Sequence, residues 1–217
     1  MNTYDFQKIQ KKLAKKLDEN RYQHTLGVMY TSTALAMAYG HNLEEAQAAG
    51  LLHDCAKCIP NDKKLKICAK KQIPVTDLET RRPYLLHTKL GAYYARKKYG
   101  VENEDVLSAI LYHTTGRPEM TALEKIVYIA DYIEPMRDKA PHLERVRRLA
   151  FQNLDDCMYE ILKDTLDYLE NDPGDIDQMT VEAYKYYEGI HLERLRKEKM
   201  NERRKRNGRA GMQGPGR

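Results

Sequence analysis

Apolar side chains recur every three or four residues through most of this chain, and no segment reads as a strand hairpin. Asp5 to Leu17 has a helical pattern. A second helix runs from about Asn20 to Tyr39, where Gly40 suits the left-handed turn that closes a helix. Asn42 is placed to cap a third helix from Leu43 to about Asp54, ending near Lys57 ahead of Pro60. Thr76 with Glu79, and Thr121 with Glu124, have the spacing of a capping box, in which side chains and backbone at a helix start satisfy each other. Pro83 to Lys98, followed by Gly100, and Asn103 to Tyr112 are two further helical units. Leu143, Val146, Leu149, Leu154, Met158, Ile161 and Leu169 fall on one stripe, so the spacing predicts a single long amphipathic helix over 143–169. A break at Asn171–Asp175 precedes a last helix starting near Thr180, and past about Asn207 the repeated glycines predict a disordered end. The predicted class is all-α: a helical bundle over residues 1–193 and a flexible basic tail over 194–217.

Length and composition narrow this picture. The chain has 217 residues, enough for one domain with a sizeable core, and 41% hydrophobic against 32% charged residues fits a globular chain in water. Trp is absent, and 16 Tyr outnumber 2 Phe, so the aromatic rings suit helix surfaces and pocket walls. No stretch approaches the roughly 18 apolar residues that span a membrane. Met1 to Leu17 interleaves Lys with Leu, Ile and Phe, unlike a signal peptide, so the expected location is the cytoplasm. Cys55, Cys58, Cys68 and Cys157 are then expected as free thiols. The net charge of +5 is concentrated: Arg194 to Arg217 holds ten Lys/Arg and two Glu, which leaves 27 basic and 30 acidic residues before it. The body therefore presents no broad nucleic-acid face, and an RNA contact by the tail competes with the plainer reading of a solvated charge run.

Candidate chemistry rests on six residues, His24, His53, Asp54, His87, His113 and Asp131. Imidazoles and carboxylates without a thiolate form a ligand set for iron, manganese, zinc or magnesium. Spread over half the chain on five predicted helices, they fit a site assembled by folding, as helical bundles build metal sites from inward-facing side chains. His41, His142 and His191 lack such company and read as ordinary surface or core histidines. Cys55-x-x-Cys58 has metal-ligand spacing but no second pair, so packing is the expected role. Nothing resembles a serine or cysteine nucleophile motif.

The local sequences carry a resemblance. Arg21-Tyr22-Gln23-His24, Leu52-His53-Asp54-Cys55-Ala56-Lys57, Leu86-His87-Thr88-Lys89-Leu90-Gly91, Tyr112-His113-Thr114-Thr115-Gly116-Arg117 and Ile129-Ala130-Asp131-Tyr132-Ile133-Glu134-Pro135-Met136-Arg137 together resemble the HD-domain phosphohydrolase superfamily. The similarity is greatest to its YqeK branch of symmetrical bis(5′-nucleosyl)-tetraphosphatases, and it covers most of residues 20–190. It implies an HD-domain helical bundle with a metal core over about 20–140. The implied reaction is metal-dependent cleavage of diadenosine tetraphosphate (Ap4A) to two ADP by a metal-activated water. By the resemblance, His24, His53, Asp54 and Asp131 hold the primary metal, iron or a similar ion. His87 and His113 either complete a second site with Asp54 bridging or contact the phosphates. Arg21, one helical turn before His24, Lys57, Arg137 and the Thr114 loop are placed to meet phosphate oxygens, with Arg117 a weaker candidate. Asp54, Lys57, His87 and His113 are the expected catalytic groups. Other HD-type nucleotide phosphohydrolases, a di-iron oxygenase on the same scaffold and a nucleotide- or RNA-binding protein are the alternatives. A homodimer through an exposed apolar helix face is a further expectation.

Overall fold

The computed structural model describes residues 4–169 and 176–210, with the backbone alone beyond 202. The expected break at 171–175 and the last seven residues lie outside the described residues. Most of the described residues are helical, and none of them lies in a strand. The helices are α1 (Phe6–Leu13), α2 (Glu19–Tyr39), α3 (Leu43–Leu52), α4 (Asn61–Lys71), α5 (Asp77–Arg81), α6 (His87–Tyr99), α7 (Glu104–Tyr112), α8 (Ala122–Ile133), α9 (Leu143–Ala150), α10 (Leu154–Leu169) and α11 (Gln178–Ala210). A 3-10 turn, Pro83–Leu86, leads into α6. None of them is long and apolar enough to cross a membrane.

The helix starts follow the expected chemistry. Asn42 and Asn103 cap α3 and α7, and both capping boxes form, with Glu79 and Glu124 reaching back to Thr76 and Thr121. Gly40 and Gly100 close α2 and α6 at φ of 64° and 72°, in the left-handed region that glycine enters without steric penalty. The stripe over 143–169 is not one helix. It divides at Phe151–Asn153, where Asn153 accepts the Asp156 backbone N–H at 3.0 Å and so caps α10. The last helix begins at Gln178, with Asp177 accepting from the Met179 N–H, and it continues through the basic segment. The boundary drawn on composition between 193 and 194 therefore falls within α11.

The core is built where α2 lies against α3 and α8, α7 against α3, α6 and α8, and α10 against α8 and α11. Val28, Met29, Leu35, Leu51, Leu52, Ile110, Ile126 and Ile129 are fully buried there. Gly50 sets the α2–α3 spacing: a Cβ at that position would stand 2.9 Å from both Met29 Cα and Ser32 Oγ. That close approach brings the end of α3, and with it His53 and Asp54, beside His24 on α2.

Candidate active site

His24 lies in the second turn of α2. His53 and His113 are the residues directly after α3 and α7, and His87 opens α6 behind the 3-10 turn. In each of the last three, ring Nδ1 is 2.7 Å from the carbonyl oxygen three residues earlier, that of Gly50, Tyr84 or Ile110. A carbonyl only accepts, so Nδ1 carries the hydrogen and Nε2 presents its lone pair. His24 is fixed in the same tautomer by Glu134, whose Oε1 lies 3.0 Å from Nδ1. The four imidazoles thus turn Nε2 toward one region.

Two carboxylates occupy that region. Asp131 Oδ1 is 3.0 Å from His24 Nε2 and 4.0 Å from His53 Nε2. Asp54 directs Oδ2 toward His53 Nε2 at 3.5 Å. Its Oδ1 faces Nε2 of His87 at 3.3 Å and of His113 at 3.6 Å, and those two nitrogens are 3.2 Å apart. Lone pairs face lone pairs at short range, which is repulsive until a cation stands among them. Nε2 of His24 and His53 and Oδ1 of Asp54 are buried without a hydrogen-bond partner, atoms that a metal ion would satisfy. Two groups have ligand atoms all within 4.8 Å of one another, His24–His53–Asp131 and His53–Asp54–His113, sharing His53. The residues therefore fit a divalent metal bound by nitrogen and oxygen.

Electrostatics point the same way. Burial, reinforced by the Lys57 ammonium, holds the His87 pKa well below its ordinary value, so the ring is neutral and free to ligate or accept. Burial works against charge on Asp54, but the His53 and His113 imidazoles and Lys57 outweigh it and hold the carboxyl well below the usual range. Asp131 is held down likewise against burial, by His24 first and then His53, His113 and Arg137. Burial, then Asp54, pushes the Cys55 thiol up to about 12, so no thiolate competes for the site.

Cations rim the centre. Arg21 Nη1 donates to Asp54 Oδ2 at 2.8 Å, and Arg137 donates to Asp131 Oδ1 at 2.9 Å and to its backbone carbonyl at 3.0 Å. Lys57 Nζ lies 3.1 Å from His87 Nε2, and the Thr114 hydroxyl lies 3.2 Å from the same nitrogen. Two clefts open here. One of about 390 Å³ is bordered by Asp18, Arg21, His24 and Arg137, and one of about 150 Å³ by His113, Thr114, Asp131 and Arg137.

All the expected site residues except Arg117 meet in this place. Arg117 instead forms a fork on the buried Glu124 carboxylate, at 3.0 and 2.9 Å, and so braces the start of α8. His41, His142 and His191 pair with Glu45, Asp164 and Asp156 away from the site. Sequence reasoning passed over Glu134, which is buried, holds His24 through one oxygen and accepts the Met136 N–H at 2.7 Å through the other. The available signal was its position one helical turn after Asp131, within reach of the same face.

The comparisons with known proteins agree with this architecture. The HD domain family matches residues 21–136. A symmetrical bis(5′-nucleosyl)-tetraphosphatase of Bacillus subtilis is 42% identical over 153 residues, covering 70% of this chain and 81% of that protein. One from Staphylococcus aureus is 38% identical over 82% of this chain and 92% of its own length. The crystal structure of a predicted HD superfamily hydrolase involved in NAD metabolism from Clostridium acetobutylicum superimposes with a TM-score of 0.82 at 40% identity, over 86% of this chain and 98% of that one. With its four inward-facing imidazoles and two carboxylates in the matched segment, this chain belongs to the HD-domain family, among relatives that include the symmetrical bis(5′-nucleosyl)-tetraphosphatases.

Proposed function

We propose that this protein hydrolyses diadenosine tetraphosphate symmetrically to two ADP at the centre formed by His24, His53, Asp54, His87, His113 and Asp131. The observation that carries the reading is the convergence of unpartnered Nε2 and carboxylate atoms beneath Arg21, Lys57 and Arg137. His24, His53, Asp54 and Asp131 are assigned as ligands of the primary metal. Asp54 aims its two oxygens at two different sets of imidazoles, so together with His87 and His113 it would also hold a second ion. We assign iron as the resident metal, in one or two ions. When bound, the metal polarises phosphoryl oxygens and lowers the pKa of water near neutrality.

The chain's own residues do the rest. Arg21 and Arg137 each have a fork hydrogen-bonded to a site carboxylate and about a third or more of the side chain exposed, so they can share donors with phosphate oxygens. The Thr114 hydroxyl adds a further donor. Lys57, hydrogen-bonded to the neutral His87 ring and 3.7 Å from Asp54 Oδ1, holds a proton at Nζ that it can donate to a phosphate oxygen at this centre. Asp54, Lys57, His87 and His113 are thus the groups nearest the reacting atoms. Four free cysteines, three of them buried, suit the cytoplasm, the setting we assign.

The test is an anaerobic assay of iron-loaded protein with diadenosine tetraphosphate, products being resolved by chromatography. Two ADP are expected, lost in Asp54→Ala while the helical circular dichroism remains. ATP plus AMP would overturn the cleavage position, and no turnover by fully loaded protein would overturn the reading.

A further inference from the structure

The turn that carries Asp54 and Lys57 into the metal centre contributes Cys55, Cys58, Ile59 and Pro60 to a separate cavity of about 330 Å³. The two openings are divided by a contact: the Cys58 thiol lies 3.3 Å from Asp18 Oδ2, and Asp18 borders the cleft beside Arg21. Lys16, Lys63 and Lys98 line this cavity, and no carboxylate does. Among the described residues none of these lysines has an ion-pair partner, and Lys98 Nζ rests 3.4 Å above the Tyr94 ring. Tyr99 also lines the cavity, and its hydroxyl is buried with no hydrogen-bond partner. Ile67 adds an apolar wall.

We propose that this cavity is a second ligand site, distinct from the metal centre, that takes a nucleoside mono- or diphosphate. Three exposed ammonium groups around one cavity, with no carboxylate in its lining, suit a ligand carrying two or three negative charges at one end. A phosphate or diphosphate has that charge, and a carboxylate does not. The apolar wall and tyrosines call for a flat, partly apolar body at the other end, and the Tyr99 hydroxyl offers it a hydrogen bond. The volume lies at the low end of small-molecule pockets, roughly 300–1,000 Å³, which suits one nucleotide and excludes a dinucleotide. Burial, then the neighbouring Lys16, lowers the Lys98 pKa, a mutual repulsion that a bound anion would relieve.

The test is calorimetric titration of the metal-loaded full-length chain with ADP, adenosine and inorganic phosphate. ADP is expected to occupy two sites in the wild type. In Lys63→Glu/Lys98→Glu one site should weaken at least tenfold while the other, and turnover without added ADP, stay unchanged. Tyr99→Phe should weaken the same site about threefold, and adenosine or phosphate alone should bind there at least tenfold more weakly than ADP. The absence of any ADP site that these substitutions weaken, or adenosine binding there as tightly as ADP, would each overturn the proposal. None of these outcomes depends on which dinucleotide the metal centre cleaves.

Discussion

Glu134 supplies the sharpest test of the site's construction. Its carboxylate accepts two N–H groups, His24 Nδ1 at 3.0 Å through Oε1 and the Met136 backbone at 2.7 Å through Oε2. Gly27 leaves it room: a Cβ there would stand 2.5 Å from Oε2, so the side chain sits directly on α2. Glu134→Gln keeps the shape but offers one accepting oxygen in place of two. If that oxygen takes the Met136 N–H, the amide NH₂ faces His24 Nδ1 and drives the imidazole hydrogen to Nε2, where it blocks the metal-facing lone pair. If it takes His24, a partly buried backbone N–H faces an NH₂ group. The first outcome removes the metal-facing lone pair, and the second strands a partly buried donor, at a cost of about 1–3 kcal/mol. Loss of such an outer partner of a ligating histidine typically weakens metal affinity about 10–100-fold, the same energy range. The measurement is metal affinity by competition with a chromogenic chelator, together with the rise in melting temperature that saturating metal confers, which should shrink in the variant. Affinity within threefold of wild type would refute the assignment of His24 as a ligand held in one tautomer by Glu134.

Further outcomes follow from individual contacts. Gly50→Ala places a methyl 2.9 Å from the Met29 backbone and should destabilise the fold by about 1–3 kcal/mol, read by urea denaturation. Arg117→Ala strips the fork from a fully buried Glu124 and should cost about 1–3 kcal/mol of stability while leaving KM for the dinucleotide unchanged, because Arg117 stands outside the site. Arg21→Ala should raise KM about 10-fold or more and, by freeing Asp54 Oδ2, leave metal affinity within severalfold, as steady-state kinetics and chelator competition would report. For the metal-free protein, the depressed His87 pKa sets a sign. Below its ordinary value of 6.5 the unfolded chain binds a proton that the folded chain refuses, so stability falls with acidity by about 1.4 kcal/mol per pH unit. The depressed Asp54 and Asp131 carboxyls act only below their ordinary value of 3.8, so denaturation curves between pH 6.5 and 5 should slope more steeply for the wild type than for His87→Gln, and equal slopes would contradict the burial of His87 as a neutral ring.

Much of this was legible in the sequence, because helix boundaries announce themselves through local chemistry. Asn42, Asn103, Thr76, Thr121, Gly40 and Gly100 each satisfy or close a helix end within a few residues of themselves, and those ends stand where the spacing placed them. The division of the stripe over 143–169 was hidden because Asn153 is a polar residue in a pattern whose apolar period continues across the break, and period alone cannot detect a change of axis. Glu134 and Arg117 were misjudged for a related reason. Both are charged residues one or two turns from named ligands, and only tertiary packing decides that one turns inward to His24 while the other turns back to Glu124.

The same helix ends explain why the site forms at all. An α-helix leaves its last carbonyls without intrahelical donors. At the ends of α3 and α7 those carbonyls, Gly50 and Ile110, are taken up by the Nδ1–H of the histidine that follows three residues later, and Tyr84 in the 3-10 turn does the same for His87. One hydrogen bond thus does two jobs: it closes the helix and it locks an imidazole with Nε2 pointing inward. Moving any of these histidines by one residue would lose both, so the placement of His53, His87 and His113 directly against a helix boundary is a structural requirement of the metal centre as well as a chemical one. Replacing His113 with Asn keeps a short side-chain N–H in reach of the Ile110 carbonyl but removes the ring nitrogen. That variant should retain most of the fold's stability while weakening metal binding, whereas His113→Ala should lose about 1 kcal/mol more stability for the stranded carbonyl. Equal stability of the two variants in urea would show that the helix end does not depend on this hydrogen bond.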